Sequence, residues 1–129
     1  MKIKKLFPIL LSAFLFTACA GGQTASNGYK SISPEEAEEI MQKQSGYIIL
    51  DVRRPDEFAE GHIPNAINIP NESIGSDEIS ALPNKNQLIL VYCRSGKRSK
   101  EASSKLVALG YTNIVEFGGI LDWHGDIVK

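Results

Sequence analysis

Hydrophobic residues along this chain fall in short blocks that switch between two spacings. Tyr47 to Val52 (YIILDV) and Leu88 to Tyr92 (LILVY) are near-continuous apolar, β-prone runs, the pattern of strands buried on both faces of a parallel sheet. Three shorter blocks, Tyr29 to Ile32, Ala66 to Ile69 and Asn113 to Phe117, read as further strands, the second ended by Pro70 and the last followed by Gly118-Gly119. Between them the spacing turns helical. Ser33-Pro34-Glu35-Glu36 supplies an N-cap, a proline at the first helical position and acids in the first turn. The helix it opens runs to about Gln44, with Ala37, Ile40 and Met41 on its apolar side. Helices are also predicted over Pro55 to Glu60, over Glu72 to Leu82 in spite of Gly75, and over Lys100 to Leu109, which Gly110 stops; a final helical turn is expected around Leu121 to Ile127. Five strands alternating with helices predict an α/β domain, a mostly parallel five-stranded sheet flanked by helices on both faces. Ligands of such sheets bind at the carboxyl ends of the strands, where Cys93 falls. No internal repeat is visible.

The amino-terminal pattern stands apart. Lys2, Lys4 and Lys5 precede an apolar run from Leu6 to Phe16 that is too short to span a bilayer and reads as a signal peptide over residues 1–18. Leu15-Phe16-Thr17-Ala18-Cys19 resembles the lipobox of bacterial lipoproteins, with Phe16 where an aliphatic residue is usual. That resemblance implies cleavage before Cys19, lipidation of Cys19, attachment to a membrane and an extracytoplasmic location; an ordinary secretory signal with an incidental cysteine is the alternative. Ala20 to Gly28 carries no charge and is built from small and polar residues. Residues 19–28 therefore read as a flexible tether, with a reach on the order of 17 Å, and 29–129 as the folded domain. The whole chain has 14 Lys+Arg and 15 Asp+Glu, and loss of the signal leaves 11 against 15. A mildly acidic domain weighs against nucleic-acid binding.

Against that acidic background, Cys93-Arg94-Ser95-Gly96-Lys97-Arg98-Ser99 is a cationic exception between a buried strand and a helix. Backbone N–H groups and the helix dipole favour an anion at such a junction, and the thiolate is the reactive form of cysteine. Arg94, Lys97 and Arg98 would favour the thiolate and attract an anionic substrate. The chain has two cysteines; with Cys19 lipidated, Cys93 is a lone thiol in an oxidising compartment, kept for its chemistry. A Cys19–Cys93 disulfide and a plain core cysteine are the competing readings.

Four ordered blocks carry a resemblance to the single-domain rhodanese family. Asp51-Val52-Arg53 with Glu57-Phe58 resembles its DVRxxxEF block. Residues 61–70 (GHIPNAINIP) are similar to GHIPGAxNIP, with Asn65 in place of a glycine. Residues 93–99 match the CRSGxRS loop, and Gly118-Gly119 with Trp123 resembles the closing GGxxxW block. The resemblance implies a sulfurtransferase. Cys93 would take sulfur from a small anionic donor such as thiosulfate, hold it as a persulfide and pass it to cyanide or a thiol. Loop N–H groups would converge on the terminal sulfur as an oxyanion hole does on oxygen. On this reading Arg94, Ser95, Gly96, Lys97, Arg98 and Ser99 bind substrate, Ser99 being a helix N-cap or a donor to the sulfur. Asp51 and Arg53 shape the pocket, Asp51 by bonding loop backbone or Arg53, and Arg53 with Glu57 is expected as a structural ion pair. No cofactor is implied. His62 and His124 lack the neighbours that metal ligands need and read as structural or surface residues, and Trp123 as packed on the core. Phosphatases and arsenate reductases on this architecture use a loop one residue longer, Cys-x5-Arg, whereas Arg98 follows Cys93 after four residues; they rank behind. A persulfide carrier that needs a thiol-redox protein partner is the other alternative.

Overall fold

A computed structural model describes residues 28–129 of the protein. The signal segment 1–18, Cys19 and the tether up to residue 27 lie outside the described residues. The elements are β1 (Lys30–Ser31), α1 (Pro34–Lys43), β2 (Ile48–Asp51), α2 (Pro55–Glu60), β3 (Ile67–Asn68), β4 (Ile89–Cys93), α3 (Lys97–Ala108) and β5 (Ile114–Gly119), with 3₁₀ turns at Asn71–Ser73 and Ile120–Asp122. The five strands form one sheet in the order β1-β5-β4-β2-β3. Every strand pairing is parallel; the antiparallel contact is an isolated bridge between His62 and Val128.

β4 lies at the centre with all five residues buried, and its alternating side chains feed two cores. Ile89, Val91 and Cys93 join Leu50, Val52, Ala102 and Leu106 on the α3 side. Leu90 and Tyr92 join Ala37, Ile49, Val115 and Phe117 on the α1 side, where Ile40, Met41 and Trp123 pack against them. Helices thus cover both faces. At the start of α1, Ser33 Oγ accepts from the Glu36 N–H (3.1 Å) and Glu36 Oε1 accepts from the Ser33 N–H (3.0 Å), a reciprocal cap that fixes where the helix begins. Asn65, at the position where the family block has glycine, takes φ 71°, a left-handed conformation that Asn tolerates better than most side chains.

Three expectations are corrected. No helix spans Glu72 to Leu82: after the Asn71–Ser73 turn the chain is irregular, pinned by Ile74 and Leu82, both buried. Gly75, Ser76, Asp77 and Ser80 offer backbone freedom and competing side-chain hydrogen bonds, and two anchors are too few to hold a helical face. α3 begins at Lys97, not Lys100, because Gly96 adopts φ 114° and turns the chain directly into the helix. Finally, the turn after β5 stops at Asp122. Beyond it, Trp123 Nε1 donates to the Asp126 carbonyl (3.1 Å), and the chain extends to exchange backbone hydrogen bonds of 2.9 Å between Val128 and His62.

Candidate active site

Cys93 is the last residue of β4 and lies opposite Gly119 across the β4–β5 ladder, just past an irregularity in the register. Its thiol is 1% exposed, and the Gly96 N–H donates to Sγ at 2.9 Å. The loop is held from the far side by β5. The Leu121 N–H donates to the Arg94 carbonyl (3.2 Å), and a Cβ on Gly119 would overlap that carbonyl and Ser95 Cα. Glycine is therefore required at 119 by close approach, at an ordinary extended φ of −131°.

The loop cations do not act alike. Arg98 Nη1 and Nη2 donate to the two oxygens of Glu57 at 2.7 and 3.2 Å, a fork that locks α3 to α2. Those hydrogen bonds pull Glu57 down to about 2 against the opposing effect of burial, and Glu57 in turn raises Arg98 above its ordinary value. Arg94 and Lys97 are exposed and make no salt bridge among the described residues. The exposed Ser95 completes the outer loop.

Arg53 does not pair with Glu57. It donates from Nε (3.0 Å) and Nη2 (2.7 Å) to Asp51 and from Nη2 to the Gly61 carbonyl (2.7 Å). Burial disfavours the Arg53 charge, but the hydrogen bonds and charge of Asp51 outweigh it and hold the guanidinium above its ordinary value. Of this buried pair at the carboxyl end of β2, Arg53 helps wall a cleft of about 360 Å³ beside the loop, lined also by Arg54, Glu57, Arg94 and Leu121. Cys93 itself is buried and does not line that cleft.

Ser99 neither caps the helix nor reaches the sulfur. It is fully buried, with Oγ 2.6 Å from Glu116 Oε1 and 2.9 Å from the Gly96 carbonyl. Glu116 was missed by sequence reasoning, although an acid inside the apolar run Ile114–Phe117 is a legible signal that it must be satisfied internally. His62 stacks on Phe58 (ring centroids 3.8 Å apart) and its Nδ1 lies 3.0 Å from the Phe58 carbonyl. The exposed His124 lies 3.7 Å from Glu35. Among the described residues no group of three or more His, Cys, Asp or Glu side chains is placed to hold a metal.

Comparison with known proteins adds names to this geometry. The pattern of the rhodanese-like domain matches residues 33–126. The thiosulfate sulfurtransferase PspE of Escherichia coli is 37% identical over 73 residues, covering 57% of this chain and 70% of that protein. Thiosulfate sulfurtransferase 18 of Arabidopsis thaliana is 38% identical over 101 residues, covering 69% and 73%. In two longer relatives the match spans 24% and 50% of the length. Among solved structures, a rhodanese with anions from E. coli superposes with a TM-score of 0.59 at 35% identity, covering 64% of this chain and 98% of that one.

Proposed function

The chain belongs to the rhodanese-like domain family, and we propose that within it this protein is a thiosulfate, or sulfane-sulfur, transferase that carries sulfur as a persulfide on Cys93. The observation that carries the reading is the Gly96 N–H aimed at Cys93 Sγ from 2.9 Å, in a loop with four residues between Cys93 and Arg98. Relatives named thiosulfate sulfurtransferase support the same reaction class.

The steps follow from ordinary sulfur chemistry. The Cys93 thiolate attacks the outer sulfur of thiosulfate; the donor's S–S bond breaks, sulfite leaves with its electron pair, and Cys93 holds –S–S⁻. A cyanide or thiolate acceptor then attacks that outer sulfur, and the Cys93 thiolate departs. Loop N–H groups offset the charge on sulfur, and Arg94 and Lys97 draw the anionic donor to the mouth. Arg98 serves differently: committed to Glu57, it holds the loop's base rather than the donor.

Intact-mass spectrometry of the protein after thiosulfate treatment tests this. We expect the gain of one sulfur atom, lost on addition of cyanide and never formed in Cys93→Ser. Absence of any adduct with thiosulfate or other sulfane donors overturns the reading. A second reading, a persulfide carrier for a thiol-redox protein, draws support from Leu121, which is 60% exposed on the cleft wall. Single-turnover uptake without multiple turnover on small acceptors would select it.

As to its place in the cell, we propose that residues 1–18 are removed, that Cys19 carries lipid, and that residues 19–28 tether the domain 29–129 to the outer side of a membrane.

A further inference from the structure

We infer that Glu116 is the positioning residue of the sulfur cradle, acting on Cys93 through Ser99 and Gly96. It stands in the middle of β5, 2% exposed, between Val115 and Phe117, which are buried in the α1-side core. A carboxylate there is costly unless donors surround it, and an anion behind a site that must hold anionic sulfur is electrostatically opposed to the chemistry. An apolar residue would pack this strand without either cost.

Its partners explain its presence. Oε1 lies 2.6 Å from Ser99 Oγ and accepts from the Gly118 N–H at 2.9 Å, while Oε2 lies 3.7 Å from Lys100 Nζ. All three donors sit on the segments that bracket the Cys93 loop: the first turn of α3 and the glycine pair closing β5. The Ser99 hydroxyl has one proton and two acceptors, Glu116 Oε1 and the Gly96 carbonyl, which share it as a three-centre hydrogen bond whose shorter, charge-assisted arm is to Glu116. Anchored on Glu116, Ser99 Oγ donates the other arm to the Gly96 carbonyl at 2.9 Å, which also accepts from the Lys100 N–H at 3.3 Å. Gly96 therefore has its carbonyl held by two donors from the first turn of α3, and it packs against Gly118 of β5, whose Cα would lie 3.6 Å from a Cβ at this position. With the carbonyl restrained and φ near 114°, the Gly96 N–H is turned toward Sγ, at 2.9 Å. Glu116 thus converts a strand position into an alignment of the N–H that faces the reacting sulfur.

The role assigned rests on the persulfide reading, so the test needs a readout that does not. In the full chain, Glu116→Ala, Glu116→Gln, Ser99→Ala and the Ser99→Ala/Glu116→Ala double variant are compared by single-turnover persulfide formation with thiosulfate and by alkylation of Cys93 with neutral iodoacetamide. Misalignment should slow saturated persulfide formation at least about tenfold in Glu116→Ala and Ser99→Ala, with the half-saturating thiosulfate concentration within about twofold because Arg94 and Lys97 are untouched. Glu116→Gln keeps an oxygen for Ser99 and Gly118 and should stay within about threefold of the parent, and the double variant should be no slower than the slower single. Losses that multiply in the double variant, a Glu116→Gln as slow as Glu116→Ala, or a Ser99→Ala at parental rate would each overturn the proposal. Should Glu116→Ala fail to fold, Ser99→Ala and Glu116→Gln decide alone. If the parent takes up no sulfur, the sulfur-transfer reading has failed, and alkylation still judges the cradle: slowed in Ser99→Ala but not in Glu116→Gln supports it, and equal rates overturn it.

Discussion

A methyl group at position 119 would have to occupy the space of the Arg94 carbonyl and Ser95 Cα, both backbone, so neither can swing aside as a side chain would. We expect Gly119→Ala to cost about 1–3 kcal/mol of stability and to slow persulfide formation at least about tenfold by pushing the loop off β5. Urea denaturation and single-turnover mass spectrometry check both numbers, and a variant with parental kinetics would show that the loop does not depend on this contact. The glycine pair was visible in the sequence as a motif, yet its reason, contact with a loop some 25 positions earlier, was not. Ser99 makes the complementary point. Its place in the loop was plain, but its direction, inward to Glu116 rather than toward sulfur, depends on where β5 lies beneath α3. Arg53 likewise had Asp51 two positions before it and Glu57 four after it, and the extended chain leaving β2 turns it to Asp51.

Strand, loop and helix around Cys93 were legible because each is encoded locally: an apolar run, a glycine free to take positive φ, and a helix-forming stretch after it. The stretch from Glu72 to Leu82 was not, since its apolar residues are anchors into the α3-side core rather than one face of a helix, a distinction that depends on the neighbour. α2 depends on its neighbours as well. It is six residues long with no buried residue, too short to be stable by itself, and the Glu57–Arg98 fork is its polar link to α3. Glu57 titrates at about 2 in the folded protein, against about 4.3 when unfolded. Its contribution to stability is therefore complete above about pH 4.5 and is lost as the pH falls toward 2, an amount on the order of 2 kcal/mol after allowance for screening. Urea midpoints of the parent and Glu57→Gln, measured between pH 2.5 and 7, should differ at neutral pH and converge at the acid end; a difference independent of pH would assign the loss to packing instead.

At the scale of the molecule, the order β1-β5-β4-β2-β3 centres β4 and brings its carboxyl end, with Cys93, beside those of β2 and β5. Because all strands run parallel, the chain enters β1 at the amino end of the sheet, opposite the end that carries Cys93. Cys19→Ala should move the protein from the membrane to the soluble fraction while sulfur uptake at Cys93 is unchanged; retention in the membrane fraction would point to an uncleaved anchor. The sequence by itself determined the alternation of strands and helices, the class of sheet it builds and the placing of one cysteine at a strand end before a glycine turn, because each of these is a pattern a few residues long. Only the tertiary structure decided which loop cation is tied to an acid and which acid holds Ser99. Arg98 meets Glu57 across 41 positions and Ser99 meets Glu116 across 17, and partners so far apart in the chain are chosen by how the layers pack, not by any spacing along it.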